Sequence, residues 1–486
     1  MRSQILCFAV LSVTCATGFA ASCESLAGLS LPDAAVTSAR PDAASDLPPF
    51  CRVAATLKPS GDSDIKIEVW LPVSGWNGKF QAVGNGGWSG SINTPAMAQA
   101  LKRGYATSST DTGHAGATAS FALGHPEKLV DYAYRSEHEM TVKAKAIIAA
   151  FYGSAPKLSY WNGCSAGGKQ ALKEAQRFPA DFDGIIAGAP GNNWTGRAET
   201  AIWIAQAVHN DPASYIPPEK YPAIHAAAVA ACDALDGVKD GIMEDPTRCR
   251  FDPKVLECKG SDGPGCLTGP QVQAARKIYS GPINPRTKQQ VSPGFEVGSE
   301  LGWGTTAGLK PFGIADDHFK YVVFRNPAWD FRTLNFDSDI AMAEKLDGGL
   351  VNALDPNLKP FFSRGGKLIQ YHGWNDWQIS PRFSVNYYQS VLEAMGGADH
   401  VRDSYRLFMA PGMGHCGGSE GPNTFDMVGT MEQWVEQGKA PEKIIAAKLK
   451  DGTVERSRPL CPYPQVAKYK GSGSIDDAAN FACAAP

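Results

Sequence analysis

The chain has 486 residues, 43% hydrophobic and 20% charged, with 46 Lys and Arg against 49 Asp and Glu for a formal net charge of -3. That much apolar sequence excludes a disordered or fibrous chain. The near balance of charge offers no basic field for a phosphate backbone, which excludes nucleic acid as the partner class. Twelve cysteines without a single CxxC pair argue for disulfides in an oxidising compartment over metal or redox motifs.

The N-terminus agrees with that compartment. Arg2 provides a positive n-region, Ile5 to Val13 an apolar h-region, and Gly18 to Ala21 small residues suited to cleavage, so residues 1–21 read as a signal peptide of a secreted or periplasmic protein. A lipoprotein signal at Cys15 is disfavoured by Thr14 and Ser12 before it. No later stretch reaches the ~18 apolar residues that span a bilayer. Removing Cys7 and Cys15 with the leader leaves an even set of cysteines, at 23, 51, 164, 232, 249, 258, 266, 416, 461 and 483.

Ile65 to Leu71 alternates apolar and polar residues, the period of a half-buried strand. Lys79 to Val83 reads as the next strand and runs into a glycine loop, Gly84-Asn85-Gly86-Gly87-Trp88. A helix is expected over Thr94 to Arg103, a strand over Tyr105 to Ser109, a long helix over Glu137 to Phe151 and a strand over Leu158 to Asn162. Gly167 to Phe178 then reads as a helix and Gly184 to Ala187 as an apolar strand. This alternation predicts a parallel sheet covered by helices on both faces. From Pro190 to about Pro356 the rhythm breaks into scattered Gly, Pro and Trp, which reads as an inserted domain. It resumes with a strand over Lys367 to Tyr371, a helix over Pro381 to Met395, a strand over Ser404 to Met409 and a helix over Asn423 to Gln437. The expected architecture is therefore an α/β-hydrolase fold: a discontinuous catalytic domain, 22–190 and 357–486, interrupted by a lid over 191–356.

Gly163-Cys164-Ser165-Ala166-Gly167 matches G-x-S-x-G between a strand and a helix, the setting of a nucleophile elbow, where a serine on a strained turn needs small neighbours. Serine is a weak nucleophile and needs a base that a carboxylate orients. After the strand ending at Tyr371 comes His372-Gly373-Trp374-Asn375-Asp376, and after the strand ending at Met409 comes Gly412-Met413-Gly414-His415-Cys416. Chain order then makes Asp376 the orienting acid and His415 the base, with His372 too close to Asp376 to be the third element and so structural. Ala166 after the nucleophile and Gly86 or Gly87 in the early glycine loop are the candidate oxyanion donors. Cys164 beside Ser165 and Cys416 beside His415 would, if bonded, hold base near nucleophile. A peptidase on the same fold would use the same triad, whereas a calcium-dependent binding protein would need none of it.

Asp233, Asp236 and Asp240 lie within eight residues among turn-forming glycines, a run that suits either a calcium ion or a solvated acidic turn. Asn193-Trp194-Thr195 is a glycosylation sequon.

Taken together, the Cys164-Ser165 pair, the run Tyr371-His372-Gly373-Trp374-Asn375-Asp376, the His415-Cys416 pair and the tail Arg458 to Pro464 resemble the tannase and feruloyl esterase family of secreted α/β-hydrolases, which includes mono(2-hydroxyethyl) terephthalate hydrolase. The resemblance implies a Ser165, Asp376, His415 triad and a serine carboxylesterase acting on small aromatic esters through an acyl-enzyme. Feruloyl-type hydroxycinnamates are favoured over galloyl esters, and those over terephthalate monoesters. It implies disulfides Cys164–Cys416, Cys23–Cys51, Cys232–Cys249, Cys258–Cys266 and Cys461–Cys483. It also implies a structural calcium in the lid, held by side chains of Asp233, Asp236 and Asp240 and carbonyls of Val238 and Ile242, with no organic cofactor. The Trp and Phe residues of the lid suggest an aromatic-lined slot for the acyl group.

Overall fold

The computed structural model describes residues 21–43 and 46–486; the leader expectation, with Cys7 and Cys15, falls outside them except at its last residue. Nine strands form the central sheet: β1 (Ala34–Asp42), β2 (Phe50–Leu57), β3 (Ile65–Pro72), β4 (Lys79–Val83), β5 (Ala106–Thr110), β6 (Leu158–Cys164), β7 (Gly184–Gly188), β8 (Lys367–Gly373) and β9 (Tyr405–Ala410). Their order is β1-β2-β3-β5-β4-β6-β7-β8-β9. The first three strands and the β3–β5 pair are antiparallel, and every pair from β5–β4 through β8–β9 is parallel. The parallel strands carry helices on both faces, so β5 and β7 are buried at every residue, while the outermost strand β1 is half-exposed along its length and tolerates Pro41.

Two apolar layers sandwich the sheet. Helix Ser136–Tyr152 buries Met140, Ala144, Ile147 and Ile148 on one face, and helix Met427–Gln437 buries Met431 and Trp434 on the other. Helix Thr94–Lys102 is started by Asn93, whose side chain accepts the Ala96 N–H.

Among the described residues no strand interrupts the lid between Gly188 and Lys367. Its long helices are Trp194–His209, Tyr221–Cys232, Gly269–Ser280 and Ser338–Asp347, joined by short helical turns. They build two cores of their own, one around Phe319, Trp329 and Phe331 and one around Ile204, Val272 and Trp303. Asn193, the sequon residue, caps helix Trp194–His209 by accepting the Gly196 N–H at 2.8 Å, which commits its side chain to the fold.

After the last core helix the chain makes a hairpin, β10 (Ile444–Lys450) with β11 (Thr453–Leu460), and a second pair, β12 (Val466–Tyr469) with β13 (Phe481–Ala484), which the sequence pattern did not reveal. All five expected disulfides are formed. Among the described residues no helix is long and apolar enough to cross a membrane.

Candidate active site

Strand β6 delivers Ser165 to the C-terminal edge of the parallel sheet, and helix Ala166–Arg177 leaves directly from it. Ser165 has φ 63° and ψ -121°, a left-handed conformation costly for a residue with a side chain. Neighbouring backbone holds it there: the Ser165 N–H donates to Gly188 O at 3.0 Å and its carbonyl accepts the Lys169 N–H at 3.0 Å and the Gly191 N–H at 3.1 Å. The flanking glycines are steric requirements. A Cβ on Gly163 would lie 2.5 Å from Gly167 O, and one on Gly167 would lie 3.1 Å from Asn85 O.

The glycine loop after β4 is pinned against this elbow. Gly167 N–H donates to Asn85 O at 2.8 Å, and the Asn85 N–H donates to Gln170 Oε1 at 3.0 Å. Asn85 Nδ2 in turn donates to Ser91 O and Thr110 O, both at 2.8 Å. Ala166 opens its helix, so its N–H has no carbonyl four residues earlier to bond within it. Gly86 has open space where a Cβ would be, whereas at Gly87, with φ 52°, a Cβ would meet Ile314 Cδ1 of the lid at 2.9 Å. The two glycines thus differ: Gly86 is free on that side and Gly87 is braced by the lid.

Asp376 follows β8, and His415 lies in the loop after β9. His415 Nδ1 is 2.7 Å from Asp376 Oδ2, and His372 Nε2 is 3.0 Å from the same oxygen. Asp376 Oδ1 accepts the Gln378 and Ile379 N–H groups at 2.7 and 3.0 Å. The fully buried carboxylate therefore has four donors. Burial alone would raise the Asp376 carboxyl, but the His415 charge and the bonds from His372 and His415 outweigh it and hold the group well below the ordinary carboxylate range. His372 is itself fully buried, with Nδ1 2.7 Å from Ser384 Oγ. The structural role expected of it is a specific one: it fixes the carboxylate that faces His415.

Ser165, His415, Gly86 and Gly87 line one open cleft of about 530 Å³, bounded also by Tyr371 of the core and Ile314 of the lid. The Cys164–Cys416 disulfide, with Cα atoms 6.0 Å apart, joins the residue before Ser165 to the residue after His415. An aromatic lid lining is not what this cleft has. Its lid contribution is Ile314 and its aromatic residue is Tyr371, because Phe319, Trp329 and Phe331 fill the lid's own core. Asn85, Gln170 and Ile314 escaped sequence reasoning, since nothing in local spacing distinguishes them from ordinary loop and helix residues.

The acidic run lies apart from this cleft, against the C-terminal strands. Asp240 pairs with the buried Arg458 and accepts the Ile242 N–H at 3.0 Å; Asp236 accepts the Val238 and Glu244 N–H groups, and Asp233 the Gly241 N–H. Burial raises the Asp236 and Asp240 carboxyls, and the neighbouring acids raise them further, although Arg458 and Arg456 pull Asp240 back. Among the described residues no donor bonds the carbonyl oxygens of Val238 and Ile242. The donor set is all oxygen, as a hard divalent cation prefers, but Asp233, Asp236 and Asp240 do not bring an oxygen each within 4.8 Å of one another, and Asp240 is engaged by Arg458. Among the described residues, the one trio of ligand atoms within 4.8 Å of one another is Cys258, Asp262 and Cys266, and it is no metal centre because its two sulfurs are bonded together.

A mostly parallel sheet with a serine elbow after one strand, an acid after a later one and a histidine after the last defines an α/β-hydrolase. The profile of the tannase and feruloyl esterase family matches residues 51–484, and the chain belongs to that family and is a carboxylic ester hydrolase. It is 40% identical to an uncharacterized esterase of Xanthomonas campestris pv. campestris, across 95% of this chain and 91% of the relative. A probable feruloyl esterase B-1 of Aspergillus oryzae is 36% identical across 89% of this chain and 84% of its own length. Among solved structures, feruloyl esterase B from Aspergillus oryzae superposes with a TM-score of 0.89 at 33% identity, covering 95% of this chain and 99% of that one. Tannin acyl hydrolase from Aspergillus niger shares the fold, with a TM-score of 0.79 at 22% identity over 94% of this chain and 92% of the other.

Proposed function

We propose that the chain is a secreted serine esterase of aromatic acids, of the feruloyl type, working through an acyl-enzyme. The observation that carries this reading is the Asp376–His415 contact of 2.7 Å on the cleft that also holds Ser165 on its strained turn. His415, with Nδ1–H donated to Asp376, presents a basic Nε2 that takes the proton of Ser165 Oγ as it attacks the ester carbonyl. The N–H groups of Ala166 and of Gly86 or Gly87 stabilise the oxyanion. His415 then protonates the leaving alcohol, and the same residue activates water to release the acid.

The feruloyl preference is supported by the similarity to feruloyl esterase B, with galloyl esters and terephthalate monoesters the competing substrates. Export through a cleaved leader is supported by the five disulfides. In the lid, Asp233, Asp236 and Asp240 with the carbonyls of Val238 and Ile242 would hold a calcium ion, whose charge would neutralise those acids and brace the lid against the C-terminal strands. The test is hydrolysis of methyl ferulate, methyl gallate and mono(2-hydroxyethyl) terephthalate by one preparation of the protein and of Ser165→Ala. The expected result is a highest kcat/KM for methyl ferulate and a loss of at least about 10³-fold in the variant. Unchanged turnover by Ser165→Ala would remove the nucleophile assignment.

A further inference from the structure

Away from the Ser165 cleft, a buried ionic cluster crosses the seam between the lid and the loop that carries His415. His225 lies on the lid helix Tyr221–Cys232 and is 7% exposed. Its Nδ1 is 2.8 Å from Glu300 Oε2, and its Nε2 is 2.6 Å from Glu420 Oε2. Glu300 is a fully buried lid residue that also accepts the Tyr279 hydroxyl at 2.7 Å and the Gly298 N–H at 2.8 Å. Glu420 is about half-exposed and belongs to the loop between β9 and helix Met427–Gln437, the same loop as His415. An imidazole serves two carboxylates through both nitrogens only when both carry protons, so the geometry is that of an imidazolium.

We propose that His225 is a positioning residue for the esterase reaction: it clamps Glu420 to the lid and thereby fixes the His415 loop relative to the lid wall of the cleft. The proposal rests on the reading of His415 as the general base. Besides an apolar contact with the lid, where a Cβ on Gly412 would lie 3.5 Å from Ile242 Cγ2, the loop has tethers outside the lid. Cys416 is bonded to Cys164 at the elbow, and Lys448 of β10 donates to Ser419 O. Gly414 packs against Trp377, where a Cβ would lie 2.2 Å from the indole. The lid residue Ile314 meanwhile abuts Gly87 of the glycine loop. Without the Glu420 arm, the base is set by the core and the opposite wall by the lid, with no ionic link between them at this loop.

The clamp has a built-in alkaline limit. Burial would lower the His225 pKa, but the hydrogen bonds and charges of Glu300 and Glu420 outweigh it and raise the group to about 9. The other ionisable groups facing the cluster are Tyr279, whose buried hydroxyl is pushed well above its ordinary range and stays neutral, and Lys448, whose charge acts on Glu420. A neutral imidazole has one N–H and can serve one carboxylate. Buried Glu300 has no solvent to fall back on, so the half-exposed Glu420 is the arm released as pH rises through about 9.

The experiment compares wild type, Glu420→Ala and Glu420→Gln on methyl ferulate from pH 6 to 10, with His415→Ala alongside. These variants leave the buried His225–Glu300 pair intact. Glu420→Ala is expected to lower kcat roughly three- to tenfold at neutral pH with a smaller change in KM, the size of a misplaced rather than a missing catalytic group. Glu420→Gln, which still accepts the Nε2–H, recovers most of that loss, and the fall in wild-type kcat centred near pH 9 is absent in Glu420→Ala. A Glu420→Ala profile superimposable on wild type overturns the proposal, as does a loss equal at every pH that Glu420→Gln does not recover. If His415→Ala retains full activity, the base assignment itself fails. If His415→Ala is inactive while Glu420→Ala behaves as wild type, the clamp alone fails.

Discussion

Replacing Asp376 by Asn tests the site at its most constrained point. Asp376 Oδ1 accepts two backbone N–H groups, from Gln378 and Ile379, so the Asn amide has one orientation available: its oxygen must face those donors. The NH₂ then replaces Oδ2 and points at His415 Nδ1 and His372 Nε2. Facing a donor, His415 must accept at Nδ1 and carry its proton on Nε2, the tautomer that cannot take the Ser165 proton. His372 Nε2, which also lies 3.2 Å from Ile379 O, gains a donor opposite a donor. Loss of the correct tautomer in a serine triad costs about 10⁴ in kcat, which is about 5.5 kcal/mol of transition-state stabilisation. The mismatch at His372 adds about 1–3 kcal/mol of folding stability lost. The assay is steady-state hydrolysis of methyl ferulate at neutral pH, with a thermal melt to confirm a folded variant. An Asp376→Asn enzyme that keeps its fold and works within tenfold of wild type would mean that Asp376 does not set the tautomer of His415.

Gly84→Ala would set a Cβ 2.4 Å from Gly167 Cα, a backbone atom of the helix that follows Ser165 and cannot swing aside. It is expected to cost about 2–3 kcal/mol by thermal or denaturant unfolding and to lower kcat by displacing the glycine loop. Cys164→Ser with Cys416→Ser should leave the fold in place, because the β6–β7–β8–β9 ladder and four other disulfides remain, yet lower kcat about 10–100-fold through a looser His415 loop, read from rates and a melt. Calcium chelation is expected to lower Tm by about 2–5 °C, with recovery on adding calcium but not magnesium; an unchanged Tm would leave the acidic run a plain turn. Glu199, buried on lid helix Trp194–His209 and bonded to Ser292 Oγ, is pushed by burial up to about 7, so it favours the fold below its unfolded pKa of about 4.5 and loses that contribution as pH rises toward 7. Glu199→Gln should therefore gain stability over wild type between pH 5 and pH 8, by at most about 3 kcal/mol, in melts at the two values.

The parts of the molecule legible in the sequence are those where local chemistry and fold agree. Strand β4 runs over the same five residues that alternation predicts, and β3, β6 and β7 extend the predicted strands by one or two residues. The elbow was readable because a strained turn admits only small neighbours, and Asp376 and His415 because strand ends in a parallel sheet deliver loops to one edge. Strands β1 and β2 stayed hidden: β1 carries Pro41 and exposes polar residues on both sides of its ladder, so no period of two survives in it. The lid was legible only as a break in rhythm, since its cores assemble from aromatic residues far apart in sequence, as Trp203 with Phe336 do. His225 was invisible for the same reason, its two carboxylates lying 75 and 195 residues away.

Asp376 and His225 solve opposite versions of one electrostatic problem. At Asp376 one buried carboxylate is shared by two histidines, and at His225 one buried imidazole is shared by two carboxylates. Both arrangements compensate a charge that burial alone would discharge, and both link side chains from separate parts of the chain. The first links β8 to the His415 loop and the second links that loop to the lid, with the Cys164–Cys416 bond between them tying the loop to Ser165. The histidine loop, rich in glycine and without regular structure, is held by backbone bonds such as that of the Asn375 N–H to Met413 O, and these three side-chain links add to them. Each of them fails under a different condition, acid for the Asp376 carboxylate, alkali for the His225 imidazolium and reduction for the disulfide. Because the Asp376 carboxyl is held well below the ordinary carboxylate range, alkali and reduction are the two conditions under which activity should be lost before the sheet unfolds.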